Sequence, residues 1–109
     1  MKHNIRRPRI KVAARDERTV DGITFASKAE ANRYRDLMIL RRSGHVEIFL
    51  RQVPFHLPGN TKYTCDFLVF WADGTVTVED VKGMRTPAYI RSKKQVEAIY
   101  PIKIKELAA

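Results

Sequence analysis

Residues 63–82 read YTCDFLVFWADGTVTVEDVK and decide the fold. The first part, residues 63–71, is an almost continuous apolar run broken by Asp66, which is typical of a strand buried on both faces. Residues 72–74, Ala-Asp-Gly, are a turn signal, and residues 75–82 have the composition of a second strand. We therefore predict a β-hairpin with acidic residues in both strands.

The length of the turn decides which acids face each other. A two-residue turn at residues 73–74 would pair Asp66 with Val81 and place Asp66 and Asp80 on opposite faces. A three-residue loop, with Gly74 left-handed in a bulge, would place Asp66 directly across from Asp80. Like charges in opposed positions are unfavourable unless a cation neutralises them. We predict the three-residue loop, with a divalent cation between the two carboxylates.

Strand parity sorts the charged residues at the end of the hairpin. Asp80 and Lys82 are two residues apart, so they project from the same face, whereas Glu79 points to the other and is predicted to have a structural or supporting role. Taken alone, residues 80–82 are most often a charged strand end with an ion pair. Asp66 adds weight to a functional interpretation, because an unpaired carboxylate in an apolar strand is costly to desolvate unless a metal, a cation or a pKa shift offsets that cost.

A helix is predicted before the hairpin, over residues 28–42. Residues 27–30, Ser-Lys-Ala-Glu, fit a capping box, and residues 43–44, Ser-Gly, supply the stop. Glu30 has two interpretations at this stage. It can complete the capping box, or, lying on the same stripe as Tyr34, it can look inward over the hairpin as an active-site acid.

A strand is predicted over residues 45–52, followed by a segment that Pro54 and Pro58 limit to an edge strand or an extended loop. Gln52 would lie near enough in a packed sheet to touch substrate or an attacking water, or it would only satisfy backbone groups at the strand end. Alternation places four residues on an inward face: Val46, Ile48, Leu50 and Gln52.

The last third of the chain predicts a second helix and a final strand. Residues 86–87, Thr-Pro, are a good helix opening, and the helix should run to about residue 99. Residues 102–105 alternate as a strand expected to lie parallel to residues 75–82. The result is an α/β fold of order αβββαβ, a mixed sheet of about four strands flanked by two helices.

Length and charge indicate one domain with an anionic partner. The 109 residues allow a single core. The formal net charge is +9, and residues 1–20 hold seven Lys or Arg against two acids. We predict a flexible basic arm over residues 1–19, which either lies on nucleic-acid phosphates or is simply solvated, and a domain over residues 20–109.

Several classes of protein are disfavoured by composition. No apolar run approaches the roughly 20 residues needed to span a bilayer, so no membrane role is expected. The N-terminal residues lack the apolar stretch of a secretory signal, so a cytoplasmic location is expected. Cys65 is the single cysteine, which excludes an intrachain disulfide and a zinc site built on several thiolates, and it is predicted to be a small core residue.

The spaced combination of these motifs resembles the PD-(D/E)xK nuclease superfamily. More closely, it resembles a family of small phage and prophage proteins of that fold, described as endonucleases or Holliday-junction resolvase-like proteins. The resemblance covers about residues 19–107, and Cys65 stands where the superfamily name has proline. The residues that carry it are Ser27-Lys28-Ala29-Glu30, Gln52, Thr64-Cys65-Asp66-Phe67 and Val78-Glu79-Asp80-Val81-Lys82-Gly83.

The resemblance implies a restriction-endonuclease-like core and a metal site. Asp66 and Asp80 would hold Mg²⁺, for which Mn²⁺ can substitute, together with water and the Val81 carbonyl. Glu30 would join the metal shell or position a second ion. Lys82 would orient or help deprotonate the attacking water and stabilise charge on the phosphate. The implied reaction is phosphodiester hydrolysis.

The expected substrate is DNA, bound through its phosphates without sequence-specific groove reading. Four residues on or before the second helix are candidates for phosphate contact, although surface helices commonly carry such residues without function. Two function classes follow: a structure-selective or nonspecific endonuclease in phage recombination, replication or DNA processing, with a homodimer as one way to cut paired strands, and a noncatalytic DNA-binding accessory. The candidate phosphate contacts are Arg85, Arg91, Lys93 and Lys94.

Overall fold

The chain folds as a helix, three strands, a helix and a strand, preceded by a short 3-10 helix and a small hairpin. The computed structural model describes residues 12–82 and 84–108. The order of the main elements confirms the predicted α/β fold. Their bounds are Arg15–Arg18 for the 3-10 helix, Thr19–Val20 (β1), Ile23–Thr24 (β2), Lys28–Arg42 (α1), Val46–Leu57 (β3), Thr61–Trp71 (β4), Val76–Lys82 (β5), Pro87–Ile99 (α2) and Ile104–Ala108 (β6).

The main sheet is mixed and has the strand order β3-β4-β5-β6. Strands β3, β4 and β5 are antiparallel neighbours, and β6 runs parallel to β5 after the α2 crossover. The predicted parallel pairing is therefore confirmed. Strand β4 lies in the middle of the antiparallel part, which explains its apolar composition.

The turn between β4 and β5 is the predicted three-residue loop. Trp71 and Thr75 close it, because the Trp71 amide donates to the Thr75 carbonyl at 2.9 Å. Gly74 has φ +90°, a left-handed conformation that suits glycine. The Asp73 carboxylate accepts hydrogen bonds from the Thr75 amide at 2.9 Å and from its hydroxyl at 2.6 Å, which stabilise the turn.

This turn fixes the register of the hairpin. Phe67 lies opposite Glu79 in the β4–β5 ladder. Continued by one residue, the same register places Asp66 opposite Asp80, as the three-residue loop requires. The predicted three-residue loop is therefore confirmed, and its register favours a shared face for the two aspartates. The cation between them stays a prediction.

Both helices begin where local capping signals predicted. The Ser27 hydroxyl accepts a hydrogen bond from the Glu30 amide at 3.1 Å at the start of α1, and the Thr86 hydroxyl accepts one from the Tyr89 amide at 3.1 Å at the start of α2. Pro87 occupies the first turn of α2. Within the part of the chain that the structure describes, neither helix is long and apolar enough to cross a membrane.

Two core clusters hold the helices to the sheet. Cys65 is fully buried, so its predicted place in the core is confirmed. Burial raises the pKa of its thiol to about 11, so the thiol stays protonated. The first cluster lies under α1, and the second lies under α2. Their buried members are Phe25, Ala31, Tyr34, Leu37, Val46, Phe67 and Val69 for the first, and Leu57, Tyr63, Cys65, Val78, Tyr89, Val96 and Ile104 for the second.

An ion pair fixes α1 against β5. Glu79 is fully buried, and its carboxylate accepts two hydrogen bonds from the Arg33 guanidinium, at 2.8 Å from Nε and 2.7 Å from Nη2. The neighbouring Val78 packs under α2 instead, so the two helices cover opposite faces of β5. The predicted structural role of Glu79 is confirmed by this bidentate contact.

The inward face predicted for β3 is wrong for two of its residues. Ile48 and Leu50 are each 44% exposed, whereas Phe49 lies against the α1 cluster. The cause is a β-bulge, because Val46 and Ile48 pair with consecutive residues of β4 and leave Glu47 as an extra residue. The strand also continues five residues beyond the predicted end, as an edge strand that accommodates its proline.

The final strand begins later than predicted, at Ile104 rather than residue 102. The Ile102 amide donates to the Tyr100 carbonyl at 2.8 Å, so these residues form a turn. The Glu97 carboxylate of α2 then accepts the Ile104 amide at 2.8 Å, at the start of β6.

The basic arm predicted over residues 1–19 lies only partly within the described residues. Residues 1–11 lie outside the described residues. Within the rest of the predicted arm, Arg18 belongs to the domain, since its guanidinium donates to the Ala13 carbonyl at 3.1 Å and to the Phe25 carbonyl at 2.7 Å. These bonds hold the 3-10 helix against the start of the domain.

Removal of one partner of the Glu79–Arg33 pair should destabilise the fold. We expect Glu79→Ala to lower the free energy of unfolding by about 2–3 kcal/mol, because Arg33 is left without its partner while its side chain is only 19% exposed. Urea denaturation followed by circular dichroism measures this. Asp36→Ala, an exposed acid on the same helix, is the control and should change stability by less than about 0.5 kcal/mol. Equal effects of the two variants would contradict the assignment.

Candidate functional site

Three carboxylates from three elements meet beside the hairpin. Gln52 of β3 joins two of them, because its Nε2 lies 3.2 Å from Glu30 Oε1 and 3.5 Å from Asp66 Oδ1. Asp66 in turn lies near enough to Asp80 for the Asp80 carboxylate to raise its pKa. The structure therefore brings together the acids of α1, β4 and β5 that the sequence singled out.

Gln52 reaches this position through an uncommon backbone conformation. Its φ is +52°, in the left-handed region that residues other than glycine seldom adopt. Ile48 and Leu50, which were predicted to share its face, are exposed, whereas Gln52 reaches the buried Glu30 of α1 because its left-handed conformation interrupts the alternation of β3. Backbone strain of this kind costs free energy and is concentrated at functional sites.

Asp66 is the acid with the most perturbed ionisation. Burial raises its pKa to about 7, and the nearby Glu30 and Asp80 carboxylates add to the shift. The Val81 amide donates to Asp66 Oδ2 at 2.8 Å and opposes it. This hydrogen bond also holds the Val81 peptide beside the two aspartates.

Glu30 faces inward as well as lying in the first turn of α1. Its side chain is buried and accepts the hydrogen bond from Gln52. Burial raises its pKa, and Asp80 adds a smaller effect, while Arg51, a backbone hydrogen bond at Ala26 and Gln52 act in the opposite direction. The position of the carboxylate agrees with the inward alternative left open by the sequence.

Asp80 has a cation on one oxygen and a phenol on the other. Lys82 Nζ lies 3.2 Å from Asp80 Oδ1, and the Tyr63 hydroxyl donates to Asp80 Oδ2. Burial raises the pKa of Tyr63, and the Asp80 carboxylate adds to the shift, so the phenol remains a donor. Sequence reasoning did not assign Tyr63 to the site, because its contact with Asp80 joins two different strands.

The aspartate pair offers oxygen ligands, which are the ligands that Mg²⁺ prefers. Within residues 12–82 and 84–108, no three His, Cys, Asp or Glu side chains form a complete metal-holding group. Asp66 and Asp80, with the adjacent Val81 peptide, form a smaller set. Mg²⁺ keeps several waters and is usually bound through one or two carboxylates plus substrate phosphates, so this set fits the ion.

The predicted phosphate contacts on α2 divide into two groups. Arg85 and Lys93 pair with Glu106 of β6, at 3.3 and 2.8 Å. Arg91 and Lys94 are exposed, and each lies about 150° around the helix from the buried residues Tyr89 and Val96. The structure does not bring Arg91 or Lys94 to the carboxylates.

Glu106 is a residue of the site that sequence reasoning missed. It lies opposite Asp80 in the parallel β5–β6 ladder, and the Tyr89 hydroxyl donates to its Oε1 at 3.2 Å. The Tyr89 ring in turn lies 4.3 Å from Lys82 Nζ, a cation–π contact. No local pattern placed Glu106 here, because the predicted final strand ended one residue before it.

Fold and site together define a small α/β domain with an aspartate pair and a lysine on adjacent strands of a mixed sheet. The chain belongs to the family described as protein of unknown function (DUF1064), which it matches over residues 9–107. A comparison with curated proteins found no match.

The raised pKa of Asp66 predicts a stability that falls with pH. A carboxyl group with a folded pKa of about 7, against 3.8 as its ordinary value, opposes folding once it must ionise. Without added metal, this cost is absent below about pH 4 and complete above about pH 7. Discounted for solvent screening, it is about 2 kcal/mol at pH 8. Asp66→Asn should therefore raise Tm by roughly 5–10 °C at pH 8 and by less at pH 5.

Thermal denaturation at both pH values measures this difference. Asp73→Asn is the matched control from the same hairpin, because hydrogen bonds from Thr75 lower the pKa of Asp73 and its removal should not raise Tm. An Asp66→Asn protein that is no more stable than the parent at pH 8 would overturn the assigned ionisation.

Proposed function

We propose that this protein is a Mg²⁺-dependent DNA endonuclease that hydrolyses phosphodiester bonds. The observation that supports this best is the proximity of Asp66 and Asp80, which is close enough to raise the pKa of Asp66, with Lys82 3.2 Å from Asp80 on the same strand. Two adjacent carboxylates favour a hard divalent cation, and a lysine beside them can meet an anionic substrate. Mn²⁺ is proposed to substitute for Mg²⁺.

The residues of the site would divide the work of hydrolysis. Asp66 and Asp80 would hold the ion, and Tyr63 would fix the orientation of Asp80 through its hydrogen bond. Bound Mg²⁺ would supply a Lewis acid for the phosphoryl oxygen and an acidified water. Lys82 would orient the attacking water and stabilise charge on the phosphate. Glu30 is proposed to join the metal shell or to position a second ion, and Gln52, which donates to Glu30, to contact the substrate or the attacking water.

DNA binding would be structure-selective or nonspecific. The net charge of +9 favours contact with the phosphate backbone, which carries no sequence information. Arg91 and Lys94 are exposed, and they are proposed to contact DNA phosphates away from the bond that is cut. The setting we propose is recombination, replication or processing of phage DNA in the host cytoplasm.

The nuclease proposal predicts a metal-dependent activity that needs the acid pair and the lysine. With Mg²⁺ and labelled linear, single-stranded and four-way DNA, we expect cleavage that Asp80→Asn and Lys82→Met each reduce by about 100-fold or more. Asp36→Asn removes the same charge from an exposed site on α1 and should leave cleavage unchanged.

Gel electrophoresis of the labelled strands measures cleavage, and anisotropy measures binding by the same variants. Tight binding without cleavage in both Mg²⁺ and Mn²⁺ would overturn the enzyme assignment and favour a noncatalytic DNA-binding accessory. Cleavage that survives Asp80→Asn would overturn the site assignment while leaving the activity.

A homodimer is part of the same proposal, since two sites are needed to cut paired strands. An apolar row on one face of the sheet supports it. Ile48 lies opposite Phe70, and Phe70 lies opposite Val76, so the row crosses three strands. Ile48 and Leu50 are 44% exposed and Val76 is 50% exposed, and a two-fold axis could bury this face against its copy.

Sedimentation velocity tests the dimer. We expect the parent protein to sediment as a dimer at micromolar concentration, and Leu50→Lys to sediment as a monomer because a charge enters the apolar row. Ile99→Lys changes an equally exposed apolar residue on α2 and should leave the dimer intact. A monomeric parent protein would remove this part of the proposal.

A further inference from the structure

Three hydrogen-bond donors converge on one oxygen atom at the edge of the candidate site. The acceptor is Oε1 of Glu106. Arg85 Nη2 lies 3.3 Å from it, the Tyr89 hydroxyl 3.2 Å and Lys93 Nζ 2.8 Å. Two positively charged groups and a phenol therefore contact a single carboxylate, so these four side chains together carry a net positive charge.

The donors and the acceptor come from different parts of the fold. Arg85, Tyr89 and Lys93 belong to α2 and the segment just before it, whereas Glu106 comes from β6. Tyr89 is buried in the core under α2, which fixes the middle of the set without help from Glu106. The donors thus form a preformed cradle for an oxyanion.

The cradle adjoins the proposed reaction centre. The Tyr89 ring lies 4.3 Å from Lys82 Nζ, and Lys82 Nζ lies 3.2 Å from Asp80. A group held by the cradle would therefore be separated from the aspartate pair by the Tyr89 ring and the Lys82 side chain. A phosphate close to the cut bond of a nucleic-acid strand meets this requirement.

We propose that Arg85, Tyr89 and Lys93 bind a phosphate of the DNA backbone, and that Glu106 occupies this cradle in the free protein as a competing anion. The naming of DNA rests on the proposed function, whereas the affinity of the cradle for phosphate does not. Arg85 is half exposed, and the Glu106 side chain is a quarter exposed. Exposed ion pairs are weak, so a polyanion that releases counterions can displace the carboxylate.

Removal of the competing charge should strengthen DNA binding. We expect Glu106→Gln to lower Kd for labelled duplex about threefold to tenfold at low salt, because the competing carboxylate no longer has to be displaced. Fluorescence anisotropy in EDTA measures this without cleavage. Circular dichroism and Tm establish that each variant is folded.

Two further variants separate the cradle from a general charge effect. Glu47→Gln makes the same charge change on β3, at the opposite edge of the sheet, and should change Kd by less than twofold. The double variant Glu106→Gln with Lys93→Met should lose the gain relative to Lys93→Met alone. Equal tightening by Glu47→Gln, or a gain that persists without Lys93, would overturn the proposal.

The outcomes distinguish failure of the proposed phosphate cradle from failure of the proposed nuclease activity. Cleavage that depends on Asp80, with no tighter binding by Glu106→Gln, would overturn the cradle and leave the nuclease proposal standing. If no variant binds DNA, the proposed function fails, and inorganic phosphate then tests the cradle. A rise in Tm of Glu106→Gln with phosphate that disappears in the double variant would support it, and no such rise would overturn it.

Discussion

The pairing of β4 with β5 across a three-residue turn is the constraint on which the rest of the structure depends. A slip of one residue would turn every side chain of β5 to the other face. The observed register places Asp80 beside Asp66, and it turns Glu79 toward α1, where Arg33 meets it. The left-handed Gly74 makes this turn inexpensive, because it has no Cβ to strain. The conformation of this turn therefore determines both the position of the aspartate pair and the packing of α1 against β5.

The aspartate pair lowers the stability of the fold. Burial and neighbouring carboxylates raise the pKa of Asp66, so its ionised form opposes folding at neutral pH. An apolar residue at this position of β4 would continue the strand at no such cost. Glu30 is buried with its pKa raised for the same leading reason. Natural proteins violate the rules of core formation mainly at functional sites, which is why we interpret the cluster as a binding site for a cation.

Much of the fold could be predicted because its signals are local. Capping residues and turn length lie next to the elements that they define, so the bounds of both helices and the hairpin register could be obtained from sequence. The bulge at Glu47 could not, because an extra residue is a property of two paired strands, and it exposed Ile48 and Leu50. Tyr63 and Glu106 were missed for a related reason. Their contacts join separate elements of the fold, so no pattern within one segment predicts them.

Glu79 and Asp80 are adjacent in β5, and they affect the candidate site in different ways. Asp80 belongs to the aspartate pair directly. Glu79 holds Arg33, which lies one turn beyond Glu30 on α1, so this ion pair also sets the distance of Glu30 from the hairpin. Glu30 is in turn the carboxylate that Gln52 joins to Asp66. Because the Arg33 contact is bidentate and its carboxylate is fully buried, it restricts rotation of the helix as well as its separation from β5. The geometry of the three acids is therefore determined partly by an ion pair whose two side chains are not among them.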